Sequence, residues 1–171
     1  MLTEKILMKN KNNLTNLVRG GINRTSFSET SESIFLTSGF VYNTAEEAEK
    51  SFKEEKERFM YSRFGNPTVQ MLQDKLADIE GAEVCWCTST GMAAVFTIFM
   101  SFLKKGDRVV AGRALFGSCH HILTEILPRF GIEVELIDGK DLNAWEKALK
   151  KKTSLIFFET PSNPCLSLIH I

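Results

Sequence analysis

The hydrophobic positions of this chain change rhythm twice. Up to Ser28 few apolar residues recur at any period and Asn, Lys, Ser and Thr dominate, so an extended or mobile arm is expected, ordered only by a neighbour. Thr44 and Glu47 form a capping-box pair, whose hydroxyl and carboxylate each satisfy a free backbone N–H. They open a charged helix predicted to run to about Phe59. Asn66 and Pro67 then supply an N-cap and a first-turn proline. Val69, Leu72, Leu76 and Ile79 recur at helical spacing, predicting a helix that turns this stripe inward and stops at Gly81.

Beyond Gly81 short apolar runs alternate with amphipathic stretches, the rhythm of βαβ units. Strands are predicted at 84–87, 108–111, 134–137 and 155–158, and helices at about 91–104, 117–130 and 142–151. Stripes such as Ile122, Leu123, Ile126, Leu127 and Leu142, Trp145, Leu149 mark the buried helix faces. The expected fold class is therefore α/β, a largely parallel sheet with helices on both faces.

Composition changes this picture little. With 171 residues, 43% hydrophobic and 25% charged, the chain can bury one sizeable core. Twenty-one basic residues balance 21 acidic ones, so no basic surface favours nucleic acid or an anionic membrane, and small molecules are the expected partners. The first 13 residues lack the apolar core of a secretory signal, and the longest apolar stretch, 92–103, is too short to span a bilayer. A cytoplasmic protein is expected. Its four cysteines are then expected as free thiols, and no C-x-x-C spacing suggests a metal site. Cys85 and Cys87 alternate along an apolar run, whereas Cys119 precedes His120 and His121 in a helical pattern.

Three segments carry candidate chemistry. Thr88-Ser-Thr-Gly-Met92 joins a predicted strand to a predicted helix, where the Thr90 hydroxyl and the N–H groups of Gly91 and Met92 can wrap a phosphate. The same small residues also suit a tight connection. In Tyr61-Ser-Arg-Phe-Gly-Asn-Pro-Thr68, the Arg63 guanidinium and the Tyr61 phenol can bind phosphate, or form a surface turn. Glu159-Thr-Pro-Ser-Asn-Pro164 ends the last strand, and its Asn163 can equally be a turn residue. Phe116, by itself, reads as a core residue after a strand. Ser101 and Lys104 match S-x-x-K, but they close an apolar helix instead of opening one, with no Ser-Asp-Asn or Lys-Thr-Gly after them. Neither G-x-G-x-x-G nor a Walker motif is present.

In this order the three segments resemble the cystathionine γ-synthase-like family of pyridoxal-phosphate (PLP) enzymes. The resemblance runs from about Arg19 to Pro164, and 29–42 is most similar to the O-succinylhomoserine sulfhydrylase branch. It implies an N-terminal arm with the first helix over 1–60, making intersubunit contacts. It implies over 61–171 the first part of the large PLP-binding domain of a fold type I PLP transferase. The segment holding Thr90, Gly91 and Met92 would cradle the PLP phosphate, with Tyr61 and Arg63 reaching it from a neighbouring subunit of a homo-oligomer, a tetramer built as a dimer of dimers. Phe116 would stack on the pyridine face, where many members carry tyrosine, and Asn163 would hydrogen-bond the cofactor's phenolic oxygen.

The family's Schiff-base lysine, the carboxylate facing the pyridine nitrogen and the substrate-binding arginine lie downstream of the segment matching Asn163 and Pro164. No catalytic residue is therefore expected in this chain, which reads as the front part of an enzyme, inactive alone. Residues 165–171 reach His170 where an Asp is expected and are read as truncated or foreign sequence. The implied parent reaction is γ-replacement on an O-acylhomoserine with sulfide or another thiol, giving homocysteine for methionine synthesis. Cystathionine γ-synthase or γ-lyase activity is the alternative, and a non-catalytic interaction fragment is a further one.

Overall fold

The computed structural model describes residues 13–163 and Leu166. The chain divides after Cys87 into two compact units.

The first unit carries three helices, α1 (Asn13–Arg19), α2 (Ala45–Phe52) and α3 (Pro67–Glu80). Helix α1 falls inside the expected extended arm, and the spacing of Leu14, Leu17 and Val18 was its available signal. Two residues beyond it Gly21, at φ 71°, comes so close to α3 that an added Cβ would meet the Met71 carbonyl oxygen at 3.0 Å and the Lys75 nitrogen at 3.1 Å. Both the left-handed backbone and the space require glycine there. An ion pair between Lys75 and Glu32 (2.6 Å) also ties the early chain to α3.

Helix α2 begins as expected. The Thr44 hydroxyl accepts from the Glu47 N–H at 3.1 Å, and the Glu47 carboxylate accepts from the Asn43 N–H at 2.8 Å. It stops at Phe52, seven residues before the expected end. Glu54 adopts φ 59°, the Glu54 N–H donates to the Ser51 carbonyl (3.2 Å) and the Glu55 N–H to the Lys50 carbonyl (2.9 Å), a Schellman ending on a non-glycine residue. The cause is charge: 53–58 offers no apolar side chain to bury, and Lys56 and Arg58 fold back onto Glu47 at 2.8 and 3.0 Å. Arg58 also lies 4.6 Å over the Tyr42 ring and donates to the Val41 carbonyl.

Helix α3 is capped as its sequence predicts, by the Asn66 side chain accepting from the Thr68 N–H and by Gly81 at φ 64°. The expected inward stripe is not buried, however: Val69, Leu72, Leu76 and Ile79 are all exposed, and Met71 and Gln73 are the buried positions. Helix α1 and the turn at Gly21 pack along α3, the turn meeting its Met71–Lys75 side, and the stripe is left exposed.

The second unit is a parallel sheet of β1 (Arg108–Gly112), β2 (Glu133–Ile137) and β3 (Leu155–Phe157), in the order β2-β1-β3. Helix α4 (Gly91–Phe102) precedes β1, and α6 (Leu142–Leu149) joins β2 to β3. Between β1 and β2 runs α5 (Gly117–His121), which widens to a π turn (Ile122–Ile126) and tightens to a 3-10 turn (Leu127–Phe130). A single helix was expected there. Pro128 has no N–H for the Thr124 carbonyl and its ring crowds that oxygen, so regular α-geometry cannot run through it.

Val109, Val110 and Ala111 of the central strand are fully buried. Phe99, Leu123 and Leu127 pack on one face with Val109 and Ala111, and Ile137 and Ala148 pack with Val110 on the other, so helices cover both sides. Burying each of these larger side chains contributes about 1.5–3 kcal/mol. At the start of β1 the buried Arg108 guanidinium donates to the Ala148 carbonyl (3.1 Å) and the Thr153 hydroxyl (2.7 Å) and pairs with Glu135. Its Nε lies 3.3 Å from a Glu133 oxygen without the alignment of a hydrogen bond.

The predicted strand at 84–87 does not form. A strand exists only through its ladder, and no backbone partner for it occurs among the described residues. No helix among the described residues is long and apolar enough to cross a membrane, and they hold no cluster of three potential metal ligands. Cys85, Cys87 and Cys119 are free thiols, and Cys165 lies outside the described residues, as does most of the 165–171 tail.

Candidate functional site

A short connection joins the end of α4 to the start of β1, so a helix running back along the sheet brings its N-terminus to the C-terminal ends of the strands. Phe99 of α4 packs edge-on to Phe157 of β3, with ring centroids 5.0 Å apart. Thr90 is the N-cap: its side chain accepts from the Ala93 N–H at 3.0 Å, and its carbonyl accepts from the Thr88 hydroxyl at 2.7 Å and from the Ala94 N–H at 3.1 Å. The Gly91 and Met92 N–H groups stand ahead of these bonds with no partner among the described residues. Nothing lies within 4 Å of where a Gly91 Cβ would be, and no acidic residue occupies the first turn. The Thr90 hydroxyl hydrogen, two N–H groups and the positive helix end form a donor set suited to an oxyanion.

The loop after β1 brings Phe116 to the same end of the sheet, as the residue preceding α5. Its main chain is bonded on both sides. The Phe116 N–H donates to both Glu159 carboxylate oxygens, at 3.0 and 2.9 Å, and its carbonyl accepts from the His120 N–H at 2.9 Å. The residue as a whole remains 43% exposed. Glu159, to which sequence reasoning gave no chemical role, stands just past the end of β3. Burial, with the Glu159 carboxylate beside it, pushes the Cys119 thiol up to about 11. Asn163 is exposed on a turn after the buried Ser162. Ser101 and Lys104 sit at the far end of α4, away from this N-terminus.

Tyr61 and Arg63 belong to the first unit. Tyr61 pairs with Gly39 in an isolated antiparallel bridge, and its carbonyl accepts from the Phe64 and Gly65 N–H groups, which bends the chain into a turn. Other residues of the motif anchor this turn. The Asn66 amide donates to the Phe35 carbonyl (3.0 Å) and the Ser62 hydroxyl (2.9 Å), the Thr68 hydroxyl accepts from the Phe35 N–H (2.9 Å), and the Ser62 hydroxyl donates to the Thr37 carbonyl. Arg63 is exposed, stacked 5.0 Å over Phe64 and 5.7 Å from the Tyr61 ring, with no ion pair among the described residues.

A profile described as "Cys/Met metabolism PLP-dependent enzyme" matches residues 14–171. The chain belongs to this family of PLP-dependent enzymes, and its parallel sheet with flanking helices is part of the fold type I architecture. It is 50% identical over 169 residues to an O-succinylhomoserine sulfhydrylase of Mycobacterium tuberculosis, a match covering 99% of this chain and 42% of the relative. An L-methionine gamma-lyase of Treponema denticola is 35% identical over 90% of the chain and 38% of that relative. Among solved structures, one provisionally named O-acetylhomoserine (thiol)-lyase from Campylobacter jejuni superposes with a TM-score of 0.84 at 30% identity, covering 93% of this chain and 39% of that one. That structure carries a pyridoxyl-lysine phosphate adduct. The chain therefore spans about two fifths of the length of the relatives it matches.

Proposed function

We propose that the whole protein catalyses PLP-dependent γ-replacement on an O-acylhomoserine, with O-succinylhomoserine and sulfide giving homocysteine for methionine synthesis. In this reading 61–171 is the first part of the cofactor-binding domain, and 1–60 is an arm and first helix making contacts between subunits of a cytoplasmic homotetramer. The observation that carries the cofactor reading is the open N-terminus of α4, where an uncluttered glycine and unpartnered N–H groups fit the PLP phosphate. The greater identity to the M. tuberculosis sulfhydrylase than to the gamma-lyase supports the choice of reaction.

Bound PLP supplies an electron sink for carbanions generated on the substrate. The residues of this chain hold and orient it. Thr90, Gly91 and Met92 donate to the phosphate; Arg63, from a neighbouring subunit, adds a charge-assisted fork and Tyr61 a neutral phenol. The exposed residue Phe116 offers a flat apolar ring for the pyridine but no hydroxyl to move a proton. Asn163 donates to the phenolic oxygen. All of these groups bind or orient, and the Schiff-base lysine that the family uses is not among them, so in this reading turnover requires residues beyond this stretch.

The test is product analysis with the whole native protein. Homocysteine from O-succinylhomoserine and sulfide is expected; cystathionine from added cysteine, or a 2-oxo acid and ammonia, would replace this reading with that of a synthase or lyase. Arg63→Ala is expected to weaken PLP retention by about 1–3 kcal/mol, the range for a charged hydrogen-bond partner, in equilibrium dialysis of the whole protein. Unchanged retention would remove Arg63 from the site.

A further inference from the structure

Phe116 starts α5 yet has no side-chain group that could cap it. In a capping box, a glutamate three residues into the helix reaches back to the N–H of the cap residue. Here that carboxylate comes from another element. Glu159, two residues past the last residue of β3 that pairs with β1, takes the Phe116 N–H with both oxygens. The Phe116 carbonyl is fixed separately by His120, so the peptide groups on both sides of this residue are bonded while the residue as a whole stays exposed. Cys119, facing the same carboxylate, is buried one turn into the helix. Such an arrangement fixes where a ring stands without touching it.

We propose that Glu159 is a positioning residue, whose two-oxygen hold on the Phe116 N–H fixes the backbone from which the ring that receives the cofactor projects. This rests on the stacking role given to Phe116 above. Glu159 reaches the cofactor only through Phe116, and its side chain takes no part in proton transfer. Losing it frees the β1–α5 loop, and the ring samples orientations that no longer match a flat heterocycle.

Three variants of the whole native protein loaded with PLP test this: Glu159→Ala, Glu159→Gln, which keeps one acceptor oxygen for the amide, and Phe116→Ala. The readouts are visible circular dichroism of bound PLP, PLP retention on dialysis, and hydrogen–deuterium exchange of the peptide containing Phe116. In Glu159→Ala, exchange at Phe116 is expected to rise roughly tenfold or more, as for an amide that loses a charged acceptor. The PLP dichroism should fall as it does in Phe116→Ala, with Glu159→Gln in between. Wild-type dichroism and retention in Glu159→Ala, alongside clear losses in Phe116→Ala, overturns the positioning role and leaves the stacking role standing. Should Phe116→Ala itself change nothing, the stacking role falls and the inference falls with it. If Glu159→Ala does not fold, Glu159→Gln decides: faster exchange at Phe116 with reduced dichroism supports the proposal, and wild-type values of both overturn it.

Discussion

Cys119 shows how one side chain's chemistry is set by where the chain places it. Its thiol is buried and faces a carboxylate, and both oppose a thiolate, which raises its pKa to about 11. At pH 8 only on the order of a thousandth of it is ionised, so it should be among the slowest thiols of the protein to alkylate. Iodoacetamide labelling followed by peptide mass mapping is expected to leave Cys119 unmodified until the pH nears 11 or the protein unfolds; rapid labelling at pH 8 would contradict this environment. At this scale the sequence was legible for groups whose place follows from their own chemistry and spacing: Thr44 and Asn66 as helix caps, and 88–92 as the entry to a helix. It was silent on Glu159, because the partner that gives that residue meaning lies 43 positions away across two strands. Spacing along a chain cannot display such a contact.

Elements were legible where the signal was local. The bounds of α3 follow from Asn66, Pro67 and Gly81, and β1, β2 and β3 all lie on apolar runs. The misjudged elements depended on something beyond their own sequence. Helix α2 ended early because Lys56 and Arg58 found a partner in Glu47, and 84–87 forms no strand without a ladder. Two predictions follow from α2. Glu54→Gly should stabilise the first unit by up to about 1 kcal/mol, since glycine adopts the left-handed conformation without the cost that a side chain brings; a urea midpoint that does not rise would contradict the Schellman ending. The hydrogen bond from Lys56, with that from the Asn43 N–H, holds the Glu47 carboxyl down at about 2. A depressed carboxyl stabilises the fold fully above its ordinary range and loses that contribution as pH falls through about 2. NMR titration should find Glu47 still ionised at pH 3, and Lys56→Ala should raise its pKa towards the usual carboxylate value. In the sheet, Arg108→Ala should destabilise the second unit by about 2–4 kcal/mol, because it strips a buried carbonyl and a hydroxyl of their donor and empties the space the side chain fills. Thermal melting measures this, and a shift of less than a degree would show the network to be superficial.

On the scale of the molecule, α/β class and a parallel sheet covered on both faces were readable from the rhythm of apolar runs, because burial on two sides forces near-continuous hydrophobicity on the strands. Exposure of the α3 stripe was not readable, since helical periodicity states that a face is apolar and not what covers it. Within the described residues β2 and β3 are both sheet edges, and Ile156 of β3 is exposed along with the α3 stripe. Expressed as these 171 residues alone, the polypeptide should bind a hydrophobic dye strongly and self-associate at micromolar concentration; a monodisperse monomer with little dye fluorescence in analytical ultracentrifugation would contradict this. The strand order also has a consequence in time. The central strand is made first, and its two neighbours follow roughly 25 and roughly 46 residues later. At ribosomal speed β1 therefore waits on the order of one to several seconds with one flank bare after β2 has arrived. During that interval the open flank belongs to Val109, Val110 and Ala111, the most deeply buried strand segment among the described residues, and translation exposes it longest to wrong pairing.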